Sequence, residues 1–127
     1  MVKLYDENAV VLAATAVTTT ASSTGVNIAG LAVGEETYAA NITISALVGT
    51  VDASNYHSVQ LESSATLGGT YTPVGNPILT TSGVGMYNIA FSSEQLAANS
   101  AYFRVTTTKT GTTATGVTVA AYLTLDS

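Results

Sequence analysis

The chain has 127 residues, a length that fits one domain and buries roughly two-thirds of its unfolded surface, enough for a core without staples. It contains no cysteine, which excludes a disulfide framework and a thiolate metal site. Net charge is −5, with Lys3, Arg104 and Lys109 as the only firm cations, so the basic footprint that nucleic acid requires is missing.

Charged residues make up 9% of the chain, against about a quarter in ordinary globular proteins. Such a composition fits a membrane protein or a surface covered by partners. The apolar runs, such as residues 9–17, stay well under the ~20 residues that a helical bilayer span needs. Asp6 and Glu7 follow Lys3 where a secretion signal would carry positive charge, so no such signal is expected. What remains is a hydroxyl-rich, lightly acidic surface suited to packing against other protein.

Residues 1–20 contain "AVVLAATAV", which is apolar but lacks clean alternation. Two readings are open: an extended arm that adds to a neighbouring subunit's sheet edge, or a first strand of the domain. From residue 21 onward the β signals accumulate. "GVNIAGL" is a short strand candidate around Val26 to Ile28. "NITISALV" places Ile42, Ile44, Ala46 and Val48 on one face, and "HSVQLES" does the same for His57, Val59 and Leu61. "YTPVGNPIL" holds two prolines, which cannot donate to a ladder, so it reads as an edge or irregular extended stretch. "GMYNIAF" aligns Tyr87, Ile89 and Phe91, and "SSEQLAAN" offers one helical turn.

The end of the chain is the most regular part. "YFRVTTT" puts Phe103, Val105 and Thr107 on one side, with Tyr102, Arg104 and Thr106 on the other. "GVTVAAYLTLDS" puts Val117, Val119, Ala121, Leu123 and Leu125 inward, with Thr118, Ala120, Tyr122 and Thr124 outward. The polar, glycine-bearing link "KTGTTATG" between them reads as the loop of a β-hairpin. Threonine and valine are β-branched and favour the pleated conformation. Short strands at even spacing, punctuated by glycine turns, point to an all-β sandwich or barrel.

Chemistry is sparse. His57 is the sole histidine, with no distinctive nucleophile motif beside it and no evident third member of a triad, and it reads as a strand-start residue. The densest oxygen clusters, "GEE" at 34–36 and "DASN" at 52–55, hold too few carboxylates for a closed calcium site. The glycine stretches lack the lysine and the strand-to-helix context of a phosphate loop. No catalytic residue, cofactor or metal ligand is therefore expected. The candidate functional residues are interface residues: Val10, Val11, Leu12 and Val17 in the N-terminal segment, and Tyr102, Arg104 and Tyr122 on the outward faces of the last two strands. An aromatic patch formed by Tyr102 and Tyr122 suits a half-wet protein contact. Arg104 pairs either with a carboxylate across that contact or with a glutamate on its own surface.

Four stretches, "SSTGVNIAG", "VQLESSATLGGTYTPVG", "SAYFRVTTTKTG" and "TATGVTVAAYLTLD", resemble in order the small jelly-roll cement proteins, or head decoration proteins, of tailed bacteriophages. The resemblance runs from about Ser22 to the end. It implies an antiparallel two-sheet β-sandwich of jelly-roll type over residues 21–127 and a homo-oligomer, dimer or trimer. It further implies a place on the outer surface of a virion capsid, made in the host cytoplasm, where copies bridge subunits of the major capsid protein. The alternative is a carbohydrate-binding or adhesin-like β-sandwich on a virion or cell surface, which selective binding on a glycan array would reveal.

Overall fold

The structure, a computed structural model, describes residues 9–28, 37–92 and 102–126. Ten strands run through them: β1 (Ala9–Val17), β2 (Ala21–Ser22), β3 (Val26–Asn27), β4 (Thr37–Gly49), β5 (Tyr56–Ser64), β6 (Thr72–Pro73), β7 (Ile78–Leu79), β8 (Gly85–Ser92), β9 (Tyr102–Thr110) and β10 (Ala114–Asp126). A 3-10 turn, Thr80–Ser82, follows β7. The proposed helical turn near residues 93–100 and the "GEE" turn lie outside the described residues.

The strands form two antiparallel sheets. Sheet A has the order β1-β10-β4-β8; sheet B has β2 and β3 beside β9, then β5, then β6 and β7. The two sheets pack face to face as an all-β sandwich. Alternation explains which residues meet in the middle. β5 buries His57, Val59, Leu61 and Ser63, while β9 buries Phe103, Val105 and Thr107. From sheet A come Tyr38, Ile42, Ile44, Val117, Val119 and Leu123, all at most 2% exposed. Phe91 of β8 sits between Tyr38, at 5.7 Å between ring centroids, and Phe103, at 6.1 Å, so one aromatic row links the two sheets.

Two sequence expectations are corrected. First, β9 and β10 do not form a hairpin. β9 pairs with β5 and with β2 and β3, whereas β10 pairs with β1 and β4, so "KTGTTATG" carries the chain from one sheet to the other. Both strands still turn their aliphatic parity inward, because each faces the same core from opposite sides. The corner is built around Gly111, whose φ of +81° favours glycine and where a Cβ would strike Asn55 Oδ1 and Ser54 O. Asn55 Oδ1 accepts from the backbone N–H of Thr112 (2.9 Å) and Thr113 (3.2 Å), fixing the crossing.

Second, Ala46 and Val48 do not continue the inward face of Ile42 and Ile44. Thr118 pairs with Ala46 and Val119 with Ile44, which leaves Ser45 as an unpaired extra residue. Such a bulge reverses parity, so Leu47 packs toward the core and Val48 is 58% exposed. The proline-bearing stretch does form an edge: β6 and β7 are two-residue pairings on the outside of β5. In the N-terminal segment, Ala9–Val17 pairs antiparallel with this chain's own β10 at the edge of sheet A.

Candidate functional site

Each sheet turns one face to the core and one outward, and the two outward faces differ chemically. On sheet A the register lines up Val10, Tyr122, Asn41 and Asn88 across all four strands. The flanking rows are Thr124, Ala39 and Ala90, then Ala120, Thr43 and Met86. None of these residues is charged. The middle of the face is tied by amides: Asn41 Nδ2 donates to Asn88 Oδ1 (3.1 Å) and Thr43 Oγ1 donates to Asn41 Oδ1 (2.9 Å). Asn41 is buried although it lies on the outward row, with Tyr122 as its cross-strand neighbour on β10. Met86, 66% exposed, and Val10, 55% exposed, stand on the two edge strands.

On sheet B the outward face carries a charged cluster. Glu62 and Arg104 are cross-strand partners. Arg104 Nε donates to Glu62 Oε1 at 2.8 Å, and the same oxygen accepts from Thr106 Oγ1 at 2.7 Å. With the Thr106 proton given to Glu62, the 2.8 Å contact between Thr106 Oγ1 and Ser22 Oγ is a bond donated by Ser22. The Arg104 guanidinium also lies over the Tyr71 ring, 4.0 Å from its centroid. Tyr71 is anchored in turn by its hydroxyl, which donates to Leu67 O at 2.9 Å.

The sequence-predicted interface residues are dispersed. Val10 is on the outside of the β1 edge, but Val11 is 3% exposed and belongs to the core, with Leu12 and Val17 half-buried against it. Tyr102 and Tyr122 do not form one patch. They sit on the outward faces of opposite sheets, a direct consequence of the crossing at Gly111. Arg104 is paired within its own surface, as one of its two readings had it. Sequence reasoning did not single out Glu62, Thr106 and Tyr71. The first two share outward parity with Arg104 on strands that turn out to be neighbours, so the missing information was the β5–β9 pairing, not the residue pattern.

The remaining polar features are accounted for locally. Asp52 Oδ1 accepts from the Ser54 N–H and from Asn55 Nδ2, both at 2.9 Å, closing the turn before β5. These bonds, the Asn55 amide first, hold its carboxyl below the usual range. A depression of about 480 Å³ beside this turn is lined by Asp52, Tyr56, Leu79 and Thr81, among others. Another of about 420 Å³ lies between β1 and β9, lined by Leu12, Val17, Ser22, Ser23, Val105 and Thr107 with no titratable side chain. Among the described residues no three histidine, aspartate or glutamate side chains converge. His57 is fully buried, and burial, then the Lys109 ammonium, push its pKa down.

Neither protein-family models, nor curated proteins, nor solved structures provide a match to this chain.

Proposed function

We propose that this chain is a structural, non-enzymatic decoration protein that binds the outer surface of a bacteriophage capsid and stabilises it by bridging subunits of the major capsid protein. The single observation that carries the reading is the uncharged middle of the outward face of sheet A, the rows that run from Thr124, Ala39 and Ala90 to Ala120, Thr43 and Met86. A broad surface of Ala, Thr, Asn and Tyr on an acidic chain can be desolvated against protein without stranding a charge. Burial of apolar area there contributes ~25 cal/mol per Å², less the cost of docking. Copies joined as a homo-oligomer add strength, because once one contact forms the next is intramolecular.

The strand order supports the finer jelly-roll reading. Successive groups of strands alternate between sheets, β1 in A, β2 and β3 in B, β4 in A, β5 to β7 in B, β8 in A, β9 in B and β10 in A. A doubled Greek key produces this alternation.

Co-sedimentation with purified phage shells that lack decoration, combined with the solution mass of the free protein, tests the function. Saturable binding at a fixed ratio to capsid subunits is expected. Ala120→Glu, on the outward face of sheet A, is expected to weaken it at least about tenfold, the equivalent of ~1.4 kcal/mol, because the new carboxylate is buried unpaired. Protein that stays in the supernatant, or selective binding on a glycan array, overturns the reading.

A further inference from the structure

His57 is the first inward residue of β5, with no exposed surface, and both ring nitrogens are buried without a hydrogen-bond partner. Its cover on the edge side is slight. β7 meets β5 through only two residue pairs, Ser58 with Leu79 and Val59 with Ile78. The turn that follows is tied down where the His57 N–H donates to Thr80 Oγ1 at 2.9 Å, with Thr80 itself 1% exposed. The segment Ile78–Ser82 is thus a short flap beside His57 at the edge of sheet B, with buried Thr80 next to it.

Among the described residues, no group gives the ring a hydrogen-bond acceptor. Its cross-strand partner on β9 is Lys109, on the inward parity of that strand. β6, β7 and the 3-10 turn carry no titratable side chain. Arg104 is engaged with Glu62 on the outward face, and Tyr102 shares that outward parity. Tyr122 of β10 faces outward from sheet A, and Asp126 ends β10 at the far end of the strand from Ala114. The Asp52 carboxylate is held in its own turn, and the charge that acts on the imidazole is the Lys109 ammonium. A protonated His57 has two N–H donors, no acceptor among the described residues and a like charge nearby, so it is tolerated best when the flap opens.

We propose that His57 is an acid-sensitive latch, whose protonation releases the Ile78–Ser82 flap from β5 while the rest of the sandwich stays folded. A two-residue edge pairing costs far less to open than the long strands of the core, so local opening precedes global unfolding. Opening bares the edge of β5 over Tyr56–Val59, a ladder available to another chain.

The sign follows from proton linkage. In the open state His57 has the ordinary value of ~6.5; in the closed state it titrates lower. The open state therefore binds more protons, and closure is complete above about pH 6.5 and lost as pH falls from there toward the lower, closed-state value. One proton gives up to about a tenfold rise in opening per pH unit within that window.

Amide hydrogen exchange on the full chain from pH 7.5 to 5, corrected for intrinsic rates, reads this directly. Protection at the His57 amide and across the flap is expected to fall by up to about tenfold per pH unit below ~6.5, while Ile42 and Val119 amides stay protected. In His57→Phe the local pH dependence disappears. Lys109→Met, a second variant that leaves the core ring in place, removes the like charge, narrows the window and reduces the total loss. Flap protection flat across the pH range, loss spread evenly over both sheets, or an unchanged pH dependence in His57→Phe each overturn the latch.

Discussion

Sheet A and sheet B share one core and differ on their outward faces. Sheet A is held together outside by neutral amide and hydroxyl contacts, centred on Asn41, and its edges at β1 and β8 are long strands. Sheet B carries the Glu62–Arg104–Tyr71 cluster, and its edges are two-residue fragments. The contrast teaches how a weakly charged chain divides its labour. Among the described residues, an ion pair sits where the surface can remain wet, and the middle rows of the opposite face are left free of charge. Short, fragmentary edges on sheet B limit strand addition there, whereas sheet A keeps two edges that a neighbour can use.

The comparison breaks first if the sheets are uncoupled. Phe103 is fully buried on sheet B and reaches Phe91 of sheet A. Phe103→Ala removes the ring that joins them and leaves a cavity, with an expected loss of about 3–5 kcal/mol. Urea unfolding checks this. A loss under about 1 kcal/mol would mean that the sheets are held together elsewhere.

Much of this architecture could be read from alternation alone. The inward residues of β5, β9 and β10 followed from period-two patterning, and Pro73 and Pro77 marked the sheet edge because proline lacks a ladder donor. What alternation could not give was pairing. A strand facing a core looks the same whether its sequence neighbour lies beside it or across from it, so the Gly111 corner read as a hairpin. The Ser45 bulge was invisible for a related reason: an extra residue costs the pattern only one step, and Ala46 and Val48 are apolar enough to fit either face. The interface residues fared according to the same limit. Arg104 was placed outward correctly, but its partner Glu62 depends on a strand pairing that no local pattern encodes.

Within sheet A, Asn41→Ala sharpens the contrast. Asn41 is 4% exposed, accepts from Thr43 and donates to Asn88. Its removal strands the Thr43 hydroxyl and opens a gap beside Tyr122, with an expected cost of about 1–2 kcal/mol. Because no ion is involved, that cost should be the same at 50 mM and at 1 M salt in thermal or urea unfolding. A strong salt dependence would show that charge reaches this face after all.

Glu62→Gln on sheet B gives the smallest effect and the opposite salt behaviour. The substitution keeps the size and an acceptor for Arg104 Nε and Thr106 Oγ1, but removes the formal charge. Arg104 and Glu62 retain 29% and 16% of their side-chain exposure, so water already screens the pair and the expected loss is only about 0.5–1 kcal/mol at low salt. At 1 M salt the screening length falls to about 3 Å, which reaches the exposed part of the pair. The difference between wild type and Glu62→Gln should therefore shrink as salt rises. Arg104 stays over Tyr71 in either case, because its hold on the ring comes from the ring's own quadrupole and from contact area. If Glu62→Gln instead costs more than Asn41→Ala and keeps that cost at high salt, the cluster is an interior element of the fold, and the division between a wet, ion-paired face and a face held by neutral contacts falls.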